Sequence, residues 1–339
     1  MFEIFAAAVN AILPIILLII LGYVLKRINF LSKDFFDKAN KLVFRVLLPI
    51  LLFNNVYNIA NLSDFNWDIV IFCVVIIFII FSLGLLTAAL FIKDPKQKGV
   101  IIQSTYRSNF AIIGIPLAQS LGGNGAEAIA AIISAVSIPL FNILAVISLT
   151  VFLKGNGKKI NWKDILLQIV KNPLIIGVVS GLAVLAVRTI IPDAIDGGKV
   201  FTIKNNIPFL YSAIESVGKI TSPLALIVLG GQFEFSAIKG MFDKIVLGTA
   251  WRIILAPVIG IGAAILLSRI GVFSFGENEY PAMIALFGSP AAVSSAIMAK
   301  EMGNDGQLAG QLVVWTSVGS VATLFVIICL LMNMGLLCV

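Results

Sequence analysis

The sequence predicts an all-α membrane protein of ten transmembrane helices, arranged as two inverted five-helix repeats with broken, crossing helices. Of 339 residues, 60% are hydrophobic and 12% are charged, and the mean hydropathy is +1.07. Soluble domains of this size do not have that composition. A proline pattern indicates the repeat: Pro116 and Pro290 lie 174 residues apart in Gly-x-Pro motifs, and Pro49 and Pro223 keep the same offset.

Ten apolar windows account for most of the chain. Each has roughly the 20 residues that a helix needs to cross a bilayer. The predicted spans, numbered 1 to 10, are 4–25, 35–56, 68–92, 98–121, 127–153, 164–190, 206–231, 244–268, 280–301 and 306–332. The longest connectors, 154–163 and 191–205, are predicted loops because they are rich in Gly, Asn, Lys and Asp. We expect a first repeat in residues 1–153 and a second, inverted repeat in residues 164–339.

The basic residues predict an orientation in the cytoplasmic (inner) membrane. Fifteen lie near odd-numbered connections and four near even-numbered ones. Because cytoplasmic loops are rich in Lys and Arg, both termini are expected on the non-cytoplasmic side. The first apolar run is too long for a signal peptide and no basic residue precedes it. The larger group is Lys26, Arg27, Lys33, Lys38, Lys41, Lys93, Lys96, Lys98, Lys154, Lys158, Lys159, Lys163, Lys239, Lys244 and Lys300; the smaller is Arg188, Lys199, Lys204 and Arg269.

Several classes of function lack their required residues. The chain has no histidine, and Cys73, Cys329 and Cys338 have no metal-ligand spacing. It has no Walker loop and no dinucleotide fingerprint. We therefore expect no enzyme activity, no cofactor and no metal. The net charge of +7 is explained by the membrane topology, so no nucleic-acid partner is expected.

The Gly-x-Pro motifs are predicted to interrupt spans 4 and 9. Proline removes an amide donor, and in lipid the freed backbone groups are tolerated only against other protein or a water-filled cavity. A half-helix beginning after Pro116 and another after Pro290 would each present free N–H groups and a partial positive charge, which suit a carboxylate. A single proline usually marks a kink only. Two matching motifs favour a binding site where the two helices cross.

Polar residues near these motifs are the candidate ligands of a substrate. Asn109 can donate to and accept from a carboxylate, although it could instead cap the carbonyls freed by the break. Glycines before the prolines allow close backbone approach, and the serines could supply hydroxyl groups or pack between helices. The set is Asn109, Gly114, Ile115, Pro116, Gly288, Ser289, Pro290, Ser294 and Ser295. Three other polar residues are expected to bond between helices: Asn142, Gln311 and Thr316.

Charged residues inside the spans could attract an anion or couple transport to an ion. Glu215 and Lys219 are four residues apart in span 7 and are expected to pair; Glu215 is also the candidate for proton coupling. Arg45 and Lys219 occupy matching repeat positions and could attract an anion or extend toward the membrane interface. Arg107 could draw anions toward the crossing. Arg252 in span 8 has no predicted partner.

Three stretches of sequence resemble the auxin efflux carrier family. They are the string Asn109 to Leu117, the motif Lys171-Asn172-Pro173-Leu174-Ile175-Ile176, and the run from Ser289 through Ala299-Lys300-Glu301 to Trp315. The resemblance covers nearly the whole chain and keeps the motif order. That family includes plant PIN-type auxin carriers and bacterial carriers of small carboxylates such as malate and malonate.

The resemblance implies a PIN-like fold, also that of bile acid symporters, with two structural units. Spans 1, 2, 6 and 7 would form a scaffold that dimerises, and spans 3–5 and 8–10 a mobile core. Its substrate-site roles fall on Asn109, Pro116 and Pro290. The nearest match to a polar substrate residue of span 5 is Ser137. Auxin itself is not expected, because the long cytoplasmic loop is absent and Ser295 replaces a proline of the plant branch.

These observations lead to one functional hypothesis and its alternatives. We expect a secondary carrier of small organic anions that works by elevator-type alternating access. Transport could be coupled to protons. Sodium coupling is less expected, because the acidic ligands of bile acid symporters are missing near the crossing. The alternatives are a sodium-coupled symporter of a bulkier organic anion, a channel, or a sensor with a carrier-like fold.

Overall fold

The protein is all-helical in a computed structural model that describes residues 2–58, 67–153, 167, 170–190 and 202–337. Six helices are long and apolar enough to cross a membrane, and large side chains such as Leu90 and Val258 lie exposed, as on a lipid-facing surface. The chain is thus a multi-pass membrane protein. Its helices are α1 (Phe2–Arg27), α2 (Lys33–Tyr57), α3 (Trp67–Phe91), α4 (Pro95–Tyr106), α5 (Phe110–Val151), α6 (Pro173–Ile190), α7 (Pro208–Gln232), α8 (Phe235–Arg269), α9 (Glu279–Gly288), α10 (Val293–Glu301) and α11 (Gly306–Asn333).

Most helix bounds agree with the predicted spans. Spans 1, 2, 3, 7 and 10 match α1, α2, α3, α7 and α11 to within two residues at each end, whereas α8 begins nine residues before span 8. The predicted loop at 154–163 lies outside the described residues, as does most of 191–205, whose last residues form a one-turn helix, Ile203–Asn206. Because several basic residues lie there, the orientation in the membrane stays a prediction.

Three prolines follow a wide π-helical turn rather than breaking their helix. The turns are Val43–Leu47, Phe110–Gly114 and Trp251–Leu255, and they precede Pro49, Pro116 and Pro257. In a regular helix the proline ring clashes with the carbonyl four residues earlier. A π-helical turn is wider than an α-helical one, so it relieves this clash without interrupting the helix. The expectation that Pro116 interrupts its helix is therefore wrong.

The actual breaks are two short non-helical segments. The first break, residues 107–109, separates α4 from α5, and the second break, residues 289–292, separates α9 from α10. Ser108 and Ala291 pair across them in an isolated antiparallel bridge. Only the second break contains a proline, Pro290. The 174-residue offset consequently relates the prolines and not the two breaks.

Spans 4 and 5 join without a loop. Helix α5 covers the second part of span 4 and most of span 5, as two helical segments on either side of Gly122 and Gly123, whose backbone is not helical. Gly123 has φ 63° and ψ −156°, a backbone region open essentially to glycine alone. The predicted ends of these two spans therefore meet at one glycine pair.

Close backbone contacts unite α1 with α7 and α2 with α6. A Cβ added to Gly22 would overlap the Ile227 carbonyl oxygen, and one added to Gly230 would overlap that of Ile19. Gly177 of α6 faces the Pro49 carbonyl of α2 in the same way. Small residues allow such contacts between membrane helices. These four helices are the ones that the resemblance assigns to a scaffold, a division that stays a prediction.

The other helices pack around the two breaks. Helix α9 contacts α5 and α8, α4 contacts α3 and α5, and α11 contacts α8 and α10. Helices α1 and α7 also contact this group, α1 through α11 and α7 through α10. The breaks are thereby placed in the protein interior.

Candidate functional site

The two breaks satisfy part of each other's backbone. The Asn109 N–H donates to the Pro290 carbonyl at 2.8 Å, and the Ala292 N–H donates to the Arg107 carbonyl at 3.1 Å. The Ala291 N–H donates to a side-chain hydroxyl of α11. Buried backbone groups need such partners, since leaving them unpaired is costly in an apolar interior. The crossing is therefore a specified structure rather than a disordered gap.

Four helix ends meet at this crossing. Helices α4 and α9 end at the breaks, whereas α5 and α10 begin there. The first N–H groups of a helix and its last carbonyls lack partners within the helix, and they carry partial charges equivalent to about +0.5 and −0.5. The crossing thus has two partly positive ends and two partly negative ones.

Arg107 lies in the first break and is only 3% exposed. Its Nη2 donates to Asn142 Oδ1 at 2.8 Å and to Ser294 Oγ at 3.0 Å. Its Nη1 lies 3.2 Å from Met298 Sδ. All three partners are neutral, and no ion pair forms between Arg107 and a described carboxylate. The guanidinium is thus a buried charge without an anionic partner in the described part of the chain.

A cavity of about 70 Å³ is lined in part by Arg107. It is bounded by the first break, by the first turns of α5 and α10, and by α2, α6 and α7. Arg107 is the only ionisable residue among the described residues of the lining. The lining is Leu48, Leu51, Leu52, Asn55, Arg107, Ser108, Asn109, Phe110, Ala111, Ile112, Ile138, Phe141, Asn142, Leu174, Ser222, Ala225, Ala292, Val293 and Ser294.

Two further polar residues, Ser108 and Asn109, line the cavity. The Asn109 side chain does not cap α5; it is the Asn109 carbonyl that accepts from Ile113 at 2.9 Å. The Ser108 Oγ is buried and has no partner among the described residues. The alternative role of Asn109, capping the carbonyls freed by the break, stays a prediction. Both residues belong to the cavity lining.

Arg252 of α8 holds the opposite ends of the crossing helices. Its Nη1 donates to the Thr105 carbonyl at 3.1 Å, and its Nη2 donates to the Leu286 carbonyl at 3.3 Å and to the Phe287 carbonyl. These carbonyls belong to the last turns of α4 and α9. Arg252 is 1% exposed and is absent from the cavity lining.

The structure separates the predicted binding residues into groups. Asn109 and Ser294 line the cavity, together with Arg107. Ser137 and Ser295 are buried and their Oγ atoms have no described partner, but they lie outside the lining.

The glycine and proline residues of the motifs do not line the cavity either. Gly114, Ile115 and Pro116 lie beyond the break, at the end of the π-turn. A Cβ added to Gly114 would lie 3.0 Å from a carbonyl oxygen of α9. In the second motif, Gly288 ends α9, and the Ser289 Oγ donates to the Ala285 carbonyl at 2.5 Å. Pro290 contributes the carbonyl that accepts from Asn109. These residues shape the crossing.

The candidate charged residues of α2 and α7 do not line the cavity. Glu215 and Lys219 form the predicted pair at 3.1 Å, with side chains 41% and 71% exposed. Arg45 is also exposed. None of them belongs to the lining. Their predicted role in anion attraction or proton coupling stays a prediction.

Sequence reasoning missed Asn142 and Ser108 as lining residues and gave Arg252 no partner. Asn142 was assigned to bonding between helices, yet its amide oxygen accepts from Arg107 and its Nδ2 donates to the Ile138 carbonyl at 2.9 Å. The visible signal was an arginine in each of two apolar runs. Thr316 and Gln311 do bond between segments, to Ala291 and Glu234.

Comparison with known proteins identifies the family. The described residues contain no cluster of three or more His, Cys, Asp or Glu side chains that could hold a metal ion. No curated protein matches the chain. A family model described as membrane transport protein matches residues 7–328, nearly the whole chain. The chain therefore belongs to this family of membrane transport proteins, the auxin efflux carrier family that its motifs resemble.

Proposed function

We propose that the protein is a secondary carrier of small organic anions, namely mono- or dicarboxylates such as malate or malonate, and not an enzyme. The observation that carries this proposal is Arg107, which lines a cavity and whose guanidinium has only neutral partners among the described residues. The chain belongs to a transport family. A buried cation without an anionic partner at its helix crossing suits an anionic substrate.

The energetics favour an anion in this cavity. A charged group at the centre of a membrane helix costs about 2.5–3.5 kcal/mol on insertion scales. A bound carboxylate would offset this cost and accept hydrogen bonds from Arg107, Asn109 and Ser108. The first turns of α5 and α10, which form part of the lining, would add N–H donors and partial positive charge.

The volume of the cavity favours a small substrate. About 70 Å³ accommodates on the order of five water-sized groups. This matches a carboxylate of a few carbon atoms. The alternative of a bulkier amphipathic anion would need the surrounding helices to separate.

Alternating access would move this cavity across the membrane. Its walls come from α2, α6 and α7 on one side and from the two breaks on the other. If α1, α2, α6 and α7 form the scaffold and the remaining helices the core, the substrate lies at their boundary. Sliding of the core would then expose the substrate to either side of the inner membrane. The scaffold helices of two copies would form a homodimer.

The coupling ion is a separate part of the proposal. The described lining contains no acidic side chain, so a coupled proton would travel on the substrate or through Glu215 outside the cavity. Sodium coupling is less favoured, because the described lining lacks the acidic ligands that a sodium site near the crossing would use. Both termini are proposed to lie on the non-cytoplasmic side, from the distribution of basic residues.

Counterflow in proteoliposomes tests the proposal. Labelled malate would be exchanged against unlabelled substrate, with malonate and lactate as competitors, for the wild type, Asn109→Ala and the control Asn58→Ala at the exposed end of α2. Preloaded substrate should accelerate uptake in the wild type and the control but not in Asn109→Ala. Absence of exchange by folded wild-type protein would overturn the small-carboxylate assignment. Flux without counterflow would indicate a channel, and sodium-dependent uptake of a larger anion would indicate the symporter.

A further inference from the structure

We infer that Arg252 is a built-in monovalent cation, which fills a main-chain carbonyl site that a free alkali ion would otherwise occupy. Its guanidinium has three carbonyl partners, from Thr105, Leu286 and Phe287. These come from two different half-helices, so one side chain bridges α4, α8 and α9. The sequence indicated no such site, because the carbonyls lie 147, 34 and 35 residues from Arg252.

The carbonyls have the chemistry of a cation site. They belong to the last turns of α4 and α9, where carbonyls lack N–H donors from their own helix. Each helix end also carries a partial negative charge equivalent to about −0.5. Unwound carbonyls and the C-terminal ends of half-helices are the ligands that coordinate sodium or protons in transporters with discontinuous helices.

Arg252 meets this demand permanently. A guanidinium remains charged and presents several donors in a fixed plane, so it can serve carbonyls of different helices at once. No ion pair joins it to a described carboxylate. The two helix ends are therefore its counter-charge. Its Nε is buried without a described partner, which leaves the contact to the two terminal nitrogens.

This site is distinct from the proposed substrate cavity. Arg107 borders the beginnings of α5 and α10, and Arg252 is absent from that lining. The consequence for transport rests on the proposed function. With its cation supplied by the chain, the crossing needs no sodium to hold α4 and α9 together during a transport cycle.

Thermal unfolding of purified protein tests the site without measuring transport. Arg252→Ala and Arg252→Gln would be compared with wild type in solutions of equal ionic strength that contain sodium, potassium, choline or millimolar methylguanidinium. We expect the variants to unfold roughly 10 °C below wild type in choline. Sodium or methylguanidinium should restore most of this loss, and the wild type should show no such selectivity. Arg252→Lys should retain more stability than Arg252→Gln, because it keeps the charge.

Three results would overturn the inference. One is a variant as stable as wild type in choline; another is equal recovery in choline and in sodium or methylguanidinium. The third is failure to recover folded Arg252→Ala and Arg252→Gln when methylguanidinium is present throughout extraction, since a filled site should restore folding.

Counterflow separates this inference from the proposed function. Wild-type exchange should be independent of sodium, and Arg252→Ala exchange should increase when sodium is added. If the wild type exchanges no carboxylate, the proposed function fails, while the cation selectivity of unfolding still decides the role of Arg252.

Discussion

Replacing Arg107 with glutamine removes the buried positive charge and keeps a side chain that can bond to the same neighbours. In the wild type, the Arg107 guanidinium donates to Asn142 at 2.8 Å and to Ser294 at 3.0 Å. A glutamine amide can donate to one of these oxygens. The variant therefore tests the charge with little change in local packing.

The expected loss of affinity is large because the site is desolvated. Removing one member of a buried, hydrogen-bonded charge pair costs about 2–5 kcal/mol, which corresponds to a loss of about 30-fold to several thousand-fold in affinity. The unliganded protein should behave differently. Since Arg107 has no described carboxylate partner, its replacement removes an uncompensated buried charge, and the Tm should be unchanged or raised.

Two measurements on the same preparation check this prediction. Thermal unfolding with increasing malonate gives the stabilisation due to binding, which is about 2.7 kcal/mol at 100 times the Kd; counterflow gives the concentration dependence of exchange. Arg107→Gln should lose the malonate-dependent rise in Tm, whereas the control Arg45→Gln, at an exposed cation, should keep it. A lowered Tm without malonate, together with wild-type affinity, would show that Arg107 is structural and would refute the anion site.

Three other changes have expected outcomes. Asn142→Ala removes the acceptor that orients Arg107 and should raise the KM for exchange about tenfold, measured by counterflow with folding checked by Tm. Asp37→Asn breaks the 2.6 Å ion pair between Asp37 of α2 and Lys300 of α10. Both side chains are partly exposed, so the free energy of unfolding should change by less than about 1 kcal/mol. If α2 and α10 slide apart during transport, exchange at saturating substrate should accelerate. Gly123→Ala should cost about 1–3 kcal/mol of stability because of its backbone angles, whereas Gly262→Ala, a helical glycine with equally open space, should not; equal Tm values for the two would contradict this.

Hydropathy predicted the helices because the bilayer constrains their length and polarity directly. Six of the described helices meet the criteria for a span; four of them, α2, α3, α7 and α11, end within two residues of a predicted apolar window at both ends, whereas α5 and α8 do not. The position of the first break could not be predicted in this way. Residues 107–109 contain no proline or glycine, and they pair with 289–292 through Ser108 and Ala291, which are far apart in the chain. Pro116 was a misleading signal, since a π-turn absorbs its effect on the helix.

The candidate site shows the same division between local and long-range information. Asn109 and Ser294 could be selected because they are polar residues in apolar runs beside a motif. The partners of Arg107 and Arg252 could not, because they lie 34 to 191 residues away in the chain. For Arg252 the partners are also main-chain carbonyls, which every residue possesses and no sequence pattern distinguishes.

The charges at the crossing favour a dicarboxylate over a monocarboxylate. On one side, Arg252 contributes a positive charge that the ends of α4 and α9, each equivalent to about −0.5, approximately balance. On the other side, Arg107 is joined by the beginnings of α5 and α10, each equivalent to about +0.5, which gives a charge near +2. A dianion would neutralise this side, and a monoanion would leave part of it unpaired. Malonate should therefore compete with labelled malate at lower concentration than lactate does. Equal competition would mean that the helix ends contribute little and that Arg107 alone holds one carboxylate.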